Sequence, residues 1–412
     1  MEREGPLKDV RVLDFSWIVA GPQATRILAD FGAQVIKVEY EGRIDSIRMG
    51  NPTPGTDPGS VNASGLFNNL NRDKLSLNLN VLHPMGLEVA KRLIAVSDVV
   101  IENFRNHVME SWGLSYEEMT KIKPDIIYVS LSGFGHTGRD KTYSTWGPTA
   151  QALSGLTYMS GLPGQPSAGW GFSYMDHTAG YYGAAAVMLA LHHRQQTGEG
   201  QYVDISQVET GMVLTGPQTL DYTVNGRPYR RPENPPGNHS THPAAAPHNA
   251  YRCAGEDRWI AISVFNEPQW AALCGAMGNP DWSREERFSS VLARVDHQEE
   301  LDQRITDWTS LQVARDLTHR LQALGVPAGM VQNARDRVED DPQLRERNFH
   351  HEMDHAEMGK HRFEGLPIHL SKSPGALHHA APLLGEHTDF VLREVLRMND
   401  AEIAELAENG VF

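Results

Sequence analysis

VRVLDFSWIVAGPQATRILADFGAQVIKVE, residues 10–39, decides the fold. VRVLDFS (10–16) is rich in β-branched and aliphatic residues and reads as a buried strand. Gly21 and Pro22 then open a helical stretch, QATRILADFG, which stops at Gly32. AQVIKVE (33–39) is a second strand. Strand, helix and strand in succession form a parallel βαβ unit, because the helical crossover returns the chain in its original direction. The alternation continues through a helix at HPMGLEVAKRLIAVS (83–97), a strand at DVVIENF (98–104), a helix at YEEMTKIKP and a strand at DIIYVSLSG (125–133). The fold class expected is α/β, with an open, doubly wound parallel sheet.

Beyond this region SGLTYMSGLPGQPSAGWGFSY (154–174) is too glycine-rich for a helix and reads as a loop. A helix is expected from about Asp176 to Arg194, then a TGEG turn, strand QYVDIS (201–206) and helix QVETGMVLTG. From about residue 223 the texture changes. NGRPYRRPENPPGNHSTHPAAAPHNA (225–250) has neither a helical nor a strand period and reads as linker. Strands at YRCAG, RWIAISVF and GVPAGMVQN (325–333) mark a smaller α+β domain over 223–339. HRFEGLPIHL is strand-like, and the tail ends in a helix that returns to the first domain. The large domain is therefore expected to comprise 1–222 and 340–412.

The chain has 412 residues and a net charge of -15, with 40% apolar and 22% charged residues. That length fits two domains. The acidic balance argues against general nucleic-acid binding, which needs clustered Lys and Arg. No apolar run is long enough to span a membrane, and MEREGPLKDV holds no apolar signal core, so a cytoplasmic protein is expected. Cys253 and Cys274 are the only cysteines, which fits a reducing compartment while leaving one disulfide open.

Four candidates for chemistry arise from the residues. Glu39 ends the second strand, where a dinucleotide-binding domain holds a ribose. The turn before it, AGPQAT, has one glycine instead of three, and Gln23 and Thr25 would crowd a pyrophosphate, so a nicotinamide enzyme is disfavoured. His350, His351 and His355 in HHEMDH, with His239, His242 and His248 in the linker, lack a metal-binding spacing, and no metal is expected. Ser132 in SLSGFG sits at a strand end without the GxSxG elbow of a serine hydrolase. Asp176 follows the glycine-rich loop and reads as a helix N-cap. A carboxylate there is kept ionised by free N–H groups and the helix dipole, as a covalent nucleophile requires. The small residues Ala179, Gly180 and Gly183 behind it allow another chain segment to come close.

Six ordered segments resemble the family III CoA-transferases, the formyl-CoA transferase and CaiB/BaiF group. They are VLDFSWIVAGPQATRILADFGAQVIKVE (12–39), NLNRDKLSLNL (69–79), SDVVIENFR (97–105), SLSGFGHTG (130–138), YMDHTAGYYGAAAVMLALHHRQQTGEGQYVDIS (174–206) and APLLGEHTD (381–389). The resemblance spans nearly the whole chain. It implies a large Rossmann-like domain with a smaller domain inserted, and a homodimer whose chains interlock. The stretches 207–250 and 334–350 would serve as its linkers. The implied activity is acyl-CoA:carboxylate CoA transfer, with acyl-CoA and a carboxylic acid as substrates and no permanently bound cofactor. Asp176 in YMDHTAG is the implied nucleophile, passing through an acyl anhydride and an aspartyl-CoA thioester. The implied CoA contacts are Val19, Ala20, Leu79, Asn80, Asn103, Phe104 and Arg105.

The chain departs from the family pattern in several places. Tyr40 stands where some members have arginine, Val19 where formyl-CoA transferase has glutamine, and Ser111 replaces a common arginine. Arg105 and Lys141 are the cations left to meet the CoA phosphates. The glycine quartet of formyl-CoA transferase is missing, Gly237 and Asn238 being its nearest substitute, so formyl-CoA and oxalate are not the expected substrates. A succinyl-CoA donor with a larger or aryl-substituted acceptor fits the loop residues Trp146, Tyr158, Met159, Trp170, Phe172 and Tyr174, on resemblance to benzylsuccinate-type transferases. An α-methylacyl-CoA racemase is the alternative. It needs two proton carriers, and AQALSGLTYMSG (150–161) supplies neither His nor Asp. A second alternative is the CoA-binding subunit of a heteromeric transferase, which the presence of Asp176 opposes.

Overall fold

The computed structural model describes residues 4–50, 52–232 and 234–412. Glu233 of the linker and the first three residues lie outside them. The chain divides into two compact units. The first runs to Tyr158 and takes in Gly169–Leu220 and Gln343–Phe412, and the second comprises Met159–Ala168 and Asp221–Pro342.

The first unit is built on a parallel sheet of β1 (Arg11–Asp14), β2 (Gln34–Glu39), β3 (Lys74–Asn78), β4 (Val99–Glu102), β5 (Ile127–Ser132) and β6 (Tyr202–Ser206), in the order β3-β2-β1-β4-β5-β6. Leu13 lies opposite Ile36 on one side and Val100 on the other. The helices in chain order are α1 (Ala20–Asp30), α2 (Gly65–Asn71), α3 (Pro84–Ala95), α4 (Val108–Ser111), α5 (Tyr116–Ile122), α6 (Gly147–Leu153), α7 (Leu156–Met159), α8 (Tyr174–Thr197), α9 (Gln207–Leu214) and α10 (Gly216–Asn225). Alternate strand residues face opposite sides, so each side has its own core. Leu13, Ile36, Leu77 and Val100 pack with α3, α5 and the C-terminal residues Val391, Leu392 and Leu406. Val12, Val35, Ile101 and Val129 pack with α1 and α8.

Contact between α1 and α8 depends on missing side chains. A Cβ on Gly180 would lie 2.6 Å from Gln23 Cγ and 2.9 Å from the Ala20 carbonyl oxygen, and one on Gly183 would lie 2.6 Å from Leu131 Cδ2. The small-residue run thus admits α1 itself.

The second unit has its own antiparallel sheet, Ala328–Met330, Trp259–Ser263 and His248–Arg252 in that order. Its core holds Tyr251, Ile260, Ile262, Leu273, Phe288 and Leu301.

Several local expectations change. The expected helix QVETGMVLTG is present as α9, but α10 keeps the chain helical to Asn225, so the first part of the 207–250 linker stretch is helix. The last strand of the linker reading begins at His248, two positions before its expected end. HHEMDH is a strand, His350–His355, paired antiparallel with Gly359–Glu364. His351 and His355 are therefore separated by roughly 13 Å of extended chain, too far to share one metal ion. Among the described residues no cluster of three metal-binding side chains occurs. Cys253 and Cys274 are both free and buried, which closes the disulfide option. Among the described residues no helix is long and apolar enough to cross a membrane.

Gly180→Ala is expected to lower the unfolding free energy by about 1–3 kcal/mol through overpacking. The same change in an unobstructed helix interior would raise it by about 1 kcal/mol. Urea unfolding of the variant measures the sign, and unchanged or increased stability would contradict the helix contact.

Candidate active site

The strand order reverses direction between β1 and β4. In an open α/β sheet, loops leaving the carboxyl ends of two such strands diverge to opposite faces and leave a crevice. Here that crevice is a cavity of about 320 Å³, lined among others by Trp17, Val19, Asn103, Phe104, Arg105 and Asp176. A larger cavity of about 630 Å³ lies elsewhere, by Asp73 and Lys74 at the start of β3. It is away from the switch point and from Asp176.

The first wall is the turn after β1, held by buried charges. Asp14, the last residue of β1, accepts hydrogen bonds from the Ser16 N–H (2.9 Å) and hydroxyl, from Thr25 Oγ1 (2.6 Å) and from Lys74 Nζ (3.2 Å). Burial alone would raise the Asp14 pKa, but Lys74, Lys37 and the two hydroxyls hold it below the usual carboxylate range. Lys37 Nζ donates to the Ser16 carbonyl at 2.7 Å. Ile18 adopts φ 66°, an uncommon conformation for a β-branched residue, and its N–H is fixed by Asp45 at 3.0 Å. Asn103 then ties the turn to the loop after β4: its Oδ1 accepts the Trp17 N–H (2.8 Å) and its Nδ2 donates to the Trp17 carbonyl (2.7 Å). Glu102, fully buried, accepts the Phe104 N–H at 2.6 Å. Trp17, Phe104 and Trp112 meet edge to face, and the Arg43 guanidinium lies 5.2 Å over the Trp17 ring.

Asp176 forms the opposite wall. It is the third residue of α8, whose N-cap is Ser173, so the N-cap lies three residues before the expected one. The Ser173 side chain makes no bond to the helix backbone and lies beside the Asp176 carboxylate, where it favours the ionised form. Gln207, the first residue of α9, and the Gly147 N–H, at the start of α6, act in the same sense. Gly147 has to be glycine for this approach, because a Cβ there would sit 2.5 Å from Asp176 Oδ2. Asp176 is 8% exposed. Burial pushes its pKa up to about 6, against the three hydrogen bonds, which favour the ionised form. The group is thus a buried carboxylate that is still mostly ionised at neutral pH, and no cation neutralises it in the bonds described.

Of the residues expected at the site, Val19, Asn103, Phe104, Arg105 and Asp176 line this one cavity. Ala20 opens α1 directly after Val19. Tyr40, Leu79, Asn80 and Lys141 are not among its lining residues. Tyr40 follows β2, with its ring against Gly42, and Leu79 and Asn80 follow β3, with Leu79 in the core. Glu39 is unavailable to a ribose: Arg48 donates to both its oxygens at 2.8 Å and Ser76 adds a third bond. Of the loop aromatics, Trp146 lines the cavity, whereas Trp170 and Phe172 pack on Tyr174. Sequence reasoning missed Arg43, Gly147 and Gln207. Arg43 is the one cation in EYEGRID (39–45), and Ser173 with Asp176 makes the S-x-x-D pattern of a helix start, so two signals were available.

The family model described as CoA-transferase family III matches residues 7–388. The chain belongs to this family. It is 32% identical over 410 residues to the succinyl-CoA–D-citramalate CoA-transferase of Chloroflexus aurantiacus, covering 99% of this chain and 98% of the relative. It is 34% identical over 395 residues to the succinyl-CoA:mesaconate CoA-transferase of Haloarcula marismortui, covering 95% and 96%. A crystal structure of a CaiB/BaiF family protein from Brucella suis superposes with a TM-score of 0.86 at 28% identity, covering 95% of this chain and 100% of that one.

In this CoA-transferase, Gly147→Ala should displace the Asp176 carboxylate and reduce kcat by about a hundredfold, the usual penalty for misplacing a reacting group by an ångström. Steady-state CoA transfer measures it, and a variant with unchanged kcat would remove Gly147 from the site.

Proposed function

We propose that this chain transfers coenzyme A from succinyl-CoA to a short dicarboxylic acid, with Asp176 as the covalent carrier. The observation that carries the reading is the buried Asp176 carboxylate, held by Ser173, Gln207 and Gly147 in a cavity at the sheet's switch point. A carboxylate Oδ attacks the thioester carbon, a C–O bond forms, and the C–S bond breaks with its electron pair leaving on the CoA thiolate. The product is a mixed anhydride. The thiolate then attacks the aspartyl carbonyl, giving an aspartyl-CoA thioester and releasing succinate, which carries away one oxygen from Asp176. The acceptor carboxylate runs both steps in reverse and restores the aspartate. Anhydride and thioester are comparable in energy, so no separate activation of the acid is required. The raised pKa supports this role, since a more basic carboxylate is a better nucleophile provided that it remains ionised.

CoA is placed along the carboxyl ends of β3, β2, β1 and β4, reached by Leu79 and Asn80, Tyr40, Val19 and Ala20, and Asn103 to Arg105 in turn. Asn103 serves by bracing the turn, its amide being bonded to Trp17. Tyr40 has no charge for the phosphates, and Arg105 is joined in the cavity lining by Arg43, with Lys141 outside that lining. Among the described residues neither Arg43 nor Arg105 makes an ion pair. The relatives' named acids, citramalate and mesaconate, are dicarboxylic, and only Trp146 of the loop aromatics lines the cavity. The acceptor reading therefore moves from an aryl-substituted acid to a short dicarboxylate. A racemase has less support. Among the described residues lining the cavity there is one carboxylate and no imidazole to act as the second proton carrier.

The two compact units support a large domain of 1–222 with 340–412 and an inserted domain of 223–339. A homodimer is supported by the outer surfaces of α8 and α9, where Tyr181, Tyr182, Met188, Leu189, Met212 and Val213 are exposed. α8 is apolar on both sides, and such a helix calls for a second partner. The free, buried cysteines fit a cytoplasmic setting.

Incubation with succinyl-CoA followed by hydroxylamine should leave a hydroxamate on Asp176 alone, located by mass spectrometry. Label elsewhere, or none, would remove Asp176 as carrier. Because the ionised form attacks, kcat/KM should rise about tenfold per pH unit below 6 and level off above it, following the Asp176 pKa of about 6. A profile flat through that range would contradict the assignment.

A further inference from the structure

Three serines end the two strands beside Asp176, and one of them has no partner. On β5, Ser130 Oγ bonds the Tyr202 hydroxyl at 2.9 Å. On β6, Ser206, opposite Ser132 in the sheet register, donates to the Gly133 carbonyl at 3.2 Å and caps α9. Ser132, the last residue of β5, is 6% exposed, and its Oγ has no hydrogen-bond partner. It lines the same cavity as Asp176 and Gln207. Gln207 shows the same feature. It is 5% exposed, it lines the cavity with Asp176, and its Oε1 is unpartnered.

Leaving a buried hydroxyl unpaired costs about 1–3 kcal/mol, and nearly all such groups find a partner. A partner that arrives with the substrate accounts for the vacancy. Thioester attack supplies one. As the Asp176 oxygen adds to the acyl carbon, the carbonyl π electrons move to the acyl oxygen, which becomes an oxyanion and needs a fixed donor. The charge disappears when the C–S bond breaks and the thiolate leaves.

We infer that Ser132 is a catalytic residue, its hydroxyl donating a hydrogen bond to the acyl oxygen while Asp176 attacks. This rests on the reading of Asp176 as carrier. Ser132 is not itself the nucleophile, because no imidazole lines the cavity to take its proton. The Gln207 Oε1 is left to accept from a donor on the substrate or from water.

Single-turnover reaction of the full chain with succinyl-CoA, quenched by hydroxylamine, separates the possibilities in wild type, Ser132→Ala and Ser132→Thr. Removing one oxyanion donor slows attack by about 10²–10³-fold. Ser132→Ala should therefore form the Asp176 adduct at least a hundredfold more slowly at saturating succinyl-CoA, with the concentration for half-maximal rate little changed. Ser132→Thr, which retains a hydroxyl, should recover most of the rate. The melting temperature of Ser132→Ala should be unchanged or higher, since the lost hydroxyl bonds nothing in the free protein. An Asp176 adduct formed equally fast in Ser132→Ala overturns this inference and leaves the carrier reading intact. A fall in rate accompanied by a lower melting temperature also overturns it, by showing a structural role. Adduct on Ser132, or no adduct on wild-type Asp176, overturns both.

Discussion

The buried carboxylate of Asp14 is the constraint on which the site depends. One side chain receives the Ser16 N–H of the turn after β1, the Thr25 hydroxyl of α1 and the Lys74 ammonium of β3. Turn, helix and neighbouring strand are thereby fixed to one another. Lys74 extends the same network to Asn71 and the Pro22 carbonyl. A buried charge deprived of its partner destabilises by about 3–5 kcal/mol, so none of these groups is free to drift. Placing α1 also places α8, because Gly180 and Gly183 seat α8 against α1 and β5. Asp176 stands on the first turn of that helix. Two carboxylates thus divide the work. Asp14 is saturated by cations and hydroxyls and is structural, whereas Asp176 has only neutral groups beside it, as the proposed carrier role requires.

The contrast lies in the immediate surroundings of three buried carboxylates. Glu39 and Asp14 are as buried as Asp176, but Arg48 and Lys74 stabilise their ionised forms and hold their pKa down. At Asp176 burial prevails, moderated by Ser173, Gln207 and the Gly147 N–H, and the pKa is pushed up to about 6. That value favours nucleophilicity without loss of the charge at neutral pH. The close approach of Gly147 shows how little space the arrangement leaves.

Much of this was legible in the sequence, and the reasons differ by scale. The β1–α1–β2 unit follows from hydrophobic period and from Gly21, Pro22 and Gly32, signals local enough to read directly. Glycine economy in AGPQAT excluded dinucleotide binding, and the Glu39–Arg48 pair shows where that acid is engaged. The partners of Asp176 were harder. Gly147 and Gln207 lie far from it in the chain, and neither carries a motif; three-dimensional closure alone brings them together. The strand at HHEMDH was not legible locally, because its polar residues conceal a strand propensity that depends on pairing with Gly359–Glu364. The loop aromatics were misplaced for a similar reason, since composition does not say whether Trp170 and Phe172 face a cavity or pack on Tyr174.

The fate of oxygen during turnover tests the central claim most directly. With an acceptor dicarboxylate fully labelled with oxygen-18 and unlabelled succinyl-CoA, the anhydride route leaves acceptor oxygen in the regenerated aspartate. The peptide containing Asp176 should then gain oxygen-18 as transfer proceeds, while unlabelled Asp176 oxygen leaves in succinate. Transfer of CoA with no isotope in that peptide would contradict the account.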